Sequence, residues 1–347
     1  MRRRDFLAGA VLALKRDRVD AAVRWIEKFT GSGEVWAASL LVKQGGFKLE
    51  RGFGPRVTPK TVFLLASITK PMTATGVMIL RDRGALSLAD PVRKFIPEFT
   101  GGDRDAITIR HLLTHTSGLP DMLPENVELR KRHAPLAEFV AAACRTPLLF
   151  KPGTEVRYQS MGILLASEIC QRITRTPLRE FLRKELFEPL GMKQTSLGLG
   201  GRRIAELAQC QVPEKSDWDW NSPYWRDFGA PWGGAHATAA DVARFVEFFL
   251  RPSAAIVKPE TAAEMITNQN HGLNEPWGLG WMLKPGTFGK RCSPRTFGHY
   301  GSTGTVAWAD PESKLVCVLL TTQPASDSRQ GLLGPVSDLV ADSASYS

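Results

Sequence analysis

The sequence predicts a fold of the α/β (α+β) class: one antiparallel sheet assembled from both ends of the chain, flanked by helices, with a mainly helical insertion lobe beside it. Three observations predict it. β-rich runs cluster before residue 66 and after residue 276, helical periods crowd the stretch between them, and strand signals there are sparse. The implied organisation is a basic N-terminal segment over 1–18, an α/β lobe from 19–66 and 277–347, and a mainly helical lobe over 67–276. The active site is expected where the lobes meet, a preferred place for pockets.

Each element has a local reason. Val19, Ala22, Val23, Ile26 and Phe29 recur at steps of three and four, which predicts an amphipathic helix stopped by Gly31-Ser32-Gly33. Val35–Lys43 and Phe47–Phe53 predict strands joined through Gln44-Gly45-Gly46 as a hairpin. Thr61–Leu65 is a further strand-like run. Helical periods follow at Thr73–Arg83, Ile109–Thr114, Leu136–Cys144, Met161–Ile173, Leu178–Leu186 and Ala239–Leu250. Trp277–Leu283, Thr296–Tyr300, Thr303–Ala309 and Leu315–Thr322 predict strands, the last two joined through Asp310-Pro311-Glu312-Ser313. A final helix is expected within Leu332–Ala344.

Composition narrows the function. With 347 residues, 43% hydrophobic and 23% charged, the chain has the make-up of a globular protein with a substantial core, which excludes a disordered or collagenous chain. No apolar run approaches the 18 or more residues of a spanning helix, so no integral membrane span is expected. Cys144, Cys170, Cys210, Cys292 and Cys317 are scattered and form no CxxC pair, which suggests neither a zinc site nor a disulfide framework. The net charge of +10 is concentrated at the start. Residues 1–18 hold six basic side chains against Asp5 and Asp17, a charge of +4, leaving +6 over the other 329. Acids and bases there are interspersed without a basic stripe, so nucleic acid is not an expected partner.

The start, MRRRDFLAGAVLAL, is similar to a twin-arginine export signal at Arg3-Arg4-Asp5-Phe6-Leu7. Its apolar stretch is short, however, and no A-x-A cleavage site follows Lys15-Arg16-Asp17-Arg18. Export to the periplasm and a cytoplasmic location both remain open.

Chemistry enters at Ser67-Ile68-Thr69-Lys70, the one Ser-x-x-Lys of the chain. On a helix, residues three apart share a face, so the Lys70 amine can reach the Ser67 hydroxyl. A serine hydroxyl needs a base at neutral pH, and a desolvated, neutral lysine supplies one. A first helical turn also aims N–H groups at a developing oxyanion, and Pro71 is tolerated there because those N–H groups lack helical partners. No GxSxG, P-loop or dinucleotide fingerprint is present, and no cofactor is expected. His111 and His115 stand four apart, as helical metal ligands can. The glutamate of HExxH is absent and no third ligand is placed by spacing, so packing roles are expected and no metal.

The strings LLASITKPMTATGVMILRDRGALSLADPV and ITIRHLLTHTSGLP together resemble the serine β-lactamase and penicillin-binding-protein superfamily. The likeness is to its class C-like branch, which includes family VIII carboxylesterases, D-Ala-D-Ala carboxypeptidases and D-aminopeptidases, and it runs from about residue 20 to about 325. It implies a β-lactamase/transpeptidase-like fold and a cofactor-free serine hydrolase working through an acyl-enzyme on a small-molecule ester or β-lactam-like substrate.

By this resemblance Tyr158, in Tyr158-Gln159-Ser160, takes the place of the proton-relay tyrosine, with phenolate character near Lys70. Ser160 stands where an asparagine is usual. His299-Tyr300-Gly301 fills the third motif in place of Lys-Thr-Gly, with Gly301 allowing close approach of substrate and His299 orienting a substrate carboxylate or the Tyr–Lys network. The N–H groups of Ser67 and Ser302 form the implied oxyanion hole.

Ser160, His299, Tyr300, Gly301, Trp232 and Gly233 are the expected substrate-binding residues. The aromatic stretch Trp218–Trp232 is either a buried loop or an apolar acyl pocket. Because Ser160 and His299 depart from the β-lactamase set, a carboxylesterase is the leading expectation. A β-lactamase, D-Ala-D-Ala carboxypeptidase or D-aminopeptidase is the alternative, and a catalytically silent binding module the alternative of another class. The oligomeric state is not legible.

Overall fold

A computed structural model describes residues 14–346. The twin-arginine-like stretch therefore lies almost wholly outside the described residues. Helix α1 (Arg16–Gly31) leads into strands β1 (Ala38–Gln44) and β2 (Phe47–Phe53), with Gly45 in the left-handed turn between them. A short strand, β3 (Phe63–Leu64), precedes helices α2 (Thr69–Asp82), α3 (Ile109–Leu113), α4 (Asn126–Lys131), α5 (Leu136–Arg145), α6 (Met161–Thr174) and α7 (Leu178–Leu182). Strand β4 (Ser196–Leu197), helix α8 (Pro223–Phe228), strand β5 (Ala235–Ala237), and helices α9 (Ala239–Phe248) and α10 (Pro259–Met265) complete the middle. Strands β6 (Phe297–Gly301), β7 (Thr305–Asp310) and β8 (Leu315–Thr321) then lead to helices α11 (Ala325–Ser328) and α12 (Gly334–Asp342).

The main sheet is antiparallel in the order β2-β1-β8-β7-β6, so the N-terminal hairpin pairs with the C-terminal meander through β1 and β8. Both faces of its centre are covered, which is why β8 reads as an unbroken apolar run, Leu-Val-Cys-Val-Leu-Leu. Alternation divides its residues between two cores. Leu315, Cys317 and Leu319 face a core shared with Val19 and Ile26 of α1 and Val336 and Val340 of α12. Val316, Val318 and Leu320 face a second core that continues through α9 and α2 into the helices of the middle.

Two departures from the sequence expectation bear on the site. Trp277–Leu283 is not a regular strand. Gly280, at φ +84, bends it so tightly against α2 that a Cβ there would lie 2.7 Å from the Ala74 Cβ. The Gly278 N–H closes back on the Trp281 carbonyl, and only isolated bridges of Trp277 to Met282 and of Met282 to Gly298 remain. The second departure is a small additional sheet in the order β3-β5-β4, whose strands have two or three residues each. It ties the segment before Ser67 to residues 235–237. No helix among the described residues is long and apolar enough to cross a membrane, and all five cysteines are free thiols.

Candidate active site

Ser67 lies in a 3₁₀ turn, Ala66–Ile68, that runs straight into α2. The turn is fastened from three sides. The Leu65 N–H donates to the Ala235 carbonyl at 2.9 Å, and the Thr69 hydroxyl bridges the Ala66 carbonyl (2.7 Å) and the Ala235 N–H (3.0 Å). From the β6–β7 turn and the first residue of β7, the Thr303 and Thr305 hydroxyls donate to the Leu64 and Leu65 carbonyls at 2.7 and 2.8 Å. Ala66 is held at φ +47, a left-handed conformation that a side chain disfavours, immediately before the nucleophile candidate. Such strain persists only where the surroundings over-determine it, as these fastenings do.

Gly301 serves the same purpose. A Cβ there would meet both the Leu65 carbonyl oxygen and the Thr305 hydroxyl at 2.2 Å. The neighbour that needs the space is the backbone leading to Ser67, not a substrate, which corrects the sequence-based role. Gly301→Ala is expected to lower stability by about 1–3 kcal/mol through overpacking, measured as a reduced urea midpoint with unchanged slope. An unchanged midpoint would show that the turn can shift freely.

Lys70 reaches Ser67 as the spacing implies. Its Nζ donates to Ser67 Oγ at 2.9 Å and to the Trp232 carbonyl at 3.1 Å, and lies 4.7 Å from the centre of the Tyr158 ring. Lys70 is fully buried while Ser67 keeps partial exposure. Burial lowers the Lys70 pKa from 10.5 to about 7, against the Asp121 charge, which raises it. A neutral amine with a free lone pair is thus available just above neutrality.

Tyr158 is shifted the other way. Burial drives its pKa up, with the nearby Ser67 hydroxyl pulling down and Asp121 adding to the rise. Tyr158 is therefore a neutral phenol, which corrects the expected phenolate character: the group near Lys70 holds its proton and can pass it on.

The remaining expected residues separate into those that join this cluster and those that do not. The His299 and Tyr158 rings stand 6.0 Å apart. His299 is buried, shares its Nδ1 with the Tyr300 carbonyl at 2.6 Å, and has its pKa pushed down to about 3 by burial and by Lys70. A neutral, buried imidazole gives no positive charge to a substrate carboxylate, so that expected role is corrected too.

Tyr300 points to the opposite face of β6. Its ring stacks on Phe288 at 5.4 Å and its hydroxyl donates to the Thr287 carbonyl, within the core shared with α1 and α12. The period of two in a strand makes this unavoidable once His299 faces the site. Trp232 is also core, its ring about 6 Å from Phe139 and Phe228. Its contribution to the site is the carbonyl that holds Lys70, while Gly233 lies against Ala66.

Ser302 is exposed, and its N–H has no backbone acceptor among the described residues. Of the aromatic stretch, Trp225 is buried, whereas Trp218 and Trp220 line an open depression of about 520 Å³ with Arg130 and Val212.

Three further residues join the site without having been placed there by the sequence. Asp121 accepts a 2.5 Å hydrogen bond from the Ser160 hydroxyl. Ser160 is therefore already engaged, and the polar group at this position is a carboxylate. His115 and Trp277 complete the wall around Tyr158, with ring centres 4.9 and 5.9 Å from it. His115 lies beyond the end of α3, at φ +61, while His111 closes a capping box with Thr108 at the start of that helix. The two histidines thus do not share a helical face. Among the described residues no group of three or more His, Cys, Asp or Glu is placed to hold a metal.

The family described as Beta-lactamase matches residues 22–340. The chain belongs to the Beta-lactamase family. This is a family of serine hydrolases, and the fold is its β-lactamase/transpeptidase-like fold. Penicillin-binding protein 4 of Amycolatopsis lactamdurans is 31% identical over 300 residues, covering 79% of this chain and 75% of that one. Protein flp of Staphylococcus aureus strain MW2 is 25% identical over 285 residues, 74% of this chain and 54% of its own. The chain thus spans about half the length of the flp proteins it matches. EstCE1, described as a hydrolase with promiscuous acyltransferase activity, superposes with a TM-score of 0.77 at 21% identity, covering 94% of this chain and 97% of its own.

Proposed function

We propose that this member of the Beta-lactamase family is a serine hydrolase acting on small carboxylic esters through an acyl-enzyme. The observation that carries the proposal is the Ser67–Lys70 contact, with Lys70 fully buried and its pKa lowered to about 7. Neutral Lys70 takes the Ser67 proton as Oγ attacks the ester carbonyl. The Ser67 and Ser302 N–H groups hold the oxyanion. The proton then passes through the Tyr158 phenol to the departing alkoxide, leaving Ser67 acylated. Water attacks the acyl-enzyme with the same groups in reverse roles. An intact Ser67, Lys70 and Tyr158 argue against a silent binding module.

Preference for an ester over a β-lactam rests on charge. A β-lactam carries a carboxylate on its amine side, and the neutral, buried His299 offers it no positive charge. The likeness to a penicillin-binding protein favours the second reading, a β-lactamase or a D-Ala-D-Ala peptidase. A hydrolysis panel of p-nitrophenyl esters of rising chain length, nitrocefin and a D-Ala-D-Ala peptide separates the two. Short esters are expected to give the highest kcat/KM, and a tenfold preference for nitrocefin would overturn the ester assignment. A fluorophosphonate is expected to add one label, on Ser67, and mass spectrometry placing it on another serine would overturn the nucleophile.

A further inference from the structure

We infer that Asp121 makes this site selective for acyl groups that carry an ammonium and turns away acyl groups that carry a carboxylate. The inference deepens the hydrolase proposal and rests on it. By the family resemblance, position 160 belongs to an asparagine whose amide binds a substrate amide carbonyl. Here its hydroxyl is tied to Asp121 Oδ1 at 2.5 Å, and the Ser160 N–H donates to the Asp121 carbonyl at 3.3 Å. Side chain and backbone together therefore fix this carboxylate two residues from Tyr158. Gln159 is fixed in turn, its amide oxygen accepting from Ser117 at 2.5 Å.

What such a group can bind follows from its chemistry. Asp121 is exposed, and among the described residues no Lys, Arg or His pairs with its carboxylate. Arg157, the nearest cation in sequence to Tyr158, is paired with Glu155 at 3.1 Å. Lys70 is neutral above about pH 7, and buried His115 and His299 are neutral throughout that range, so the carboxylate dominates the local charge. Its field is felt at both Lys70 and Tyr158, which places it within electrostatic range of the reacting atoms. A carboxylate accepts hydrogen bonds and donates none, so it favours a protonated amine and repels an anion.

Three ethyl esters of matched size test this: ethyl β-alaninate, ethyl butyrate and monoethyl succinate, whose acyl groups end in an ammonium, a methyl and a carboxylate. At one pH near neutrality, kcat/KM is read from ethanol release. Protection of Ser67 against fluorophosphonate labelling is read separately, because it requires binding but no turnover. The wild type is expected to prefer the ammonium ester over the carboxylate ester on the order of tenfold, mainly through KM. Asp121→Asn is expected to bring the three within about twofold of one another, and Asp121→Glu to keep the ranking. The effect of Asp121 on Lys70 acts on all three esters alike and cancels in the ratios. A wild type with no charge preference, or a ranking that survives Asp121→Asn, would overturn the inference. Ranked protection without hydrolysis would instead sink the esterase reading and leave Asp121 its role.

Discussion

Replacing Lys70 with methionine is expected to slow ester hydrolysis by on the order of 10²–10⁴-fold, as for removal of a positioned general base, and at the same time to make the protein more stable. The two effects share one cause. A lysine whose pKa falls from 10.5 to about 7 on folding binds its proton more weakly in the native state than in the unfolded one. Between those values the unfolded chain holds more protons, so wild-type stability rises with pH across this window. Below about pH 7 both states are protonated and the whole penalty is present, at most about 5 kcal/mol at 1.36 kcal/mol per unit. Methionine fills a similar volume without a charge to desolvate. It forfeits the hydrogen bonds to Ser67 and Trp232, so the net gain is smaller, on the order of 1–3 kcal/mol below pH 7 and fading towards pH 10. Denaturant titrations of both proteins at several pH values check this, and a variant less stable than wild type at every pH would contradict the buried-amine account.

Tyr158→Phe is expected to cost about a hundredfold or more in kcat on an alkyl ester and far less on a p-nitrophenyl ester. The phenol, held neutral by burial, hands its proton to the departing alkoxide. A p-nitrophenolate leaves readily without one. Equal losses on the two esters, measured on folded protein, would show that Tyr158 positions Lys70 or the substrate and relays no proton.

The pairs legible in the sequence are the local ones. Ser67 and Lys70 meet because they are three residues apart at a helix start, and the strands of the sheet announce themselves by short β-rich runs and by the Gly45 turn. Asp121 was not legible. It touches Ser160 across 39 residues, and a lone acid after Gly118-Leu119-Pro120 reads as an ordinary turn residue. The Tyr158 wall of His115 and Trp277 likewise depends on how distant segments pack. Tyr300 is different, because the alternation of β6 already set it opposite His299, and a motif taken as a block concealed that. Trp277–Leu283 reads as a strand because its aromatic and aliphatic residues outweigh Gly278 and Gly280, which fold it back on itself.

The central claim is that neutral Lys70, and not a tyrosinate, activates Ser67. The pH dependence of the rate at which a fluorophosphonate labels Ser67 tests it most directly, because fluoride leaves without a proton and only nucleophile activation is read. The account predicts a single limb rising with pH to a plateau, with its midpoint near 7, kept in Tyr158→Phe and absent in Lys70→Met. His115 and His299 are neutral throughout this range and contribute no limb of their own. A limb that persists in Lys70→Met, or one that vanishes in folded Tyr158→Phe, would contradict it.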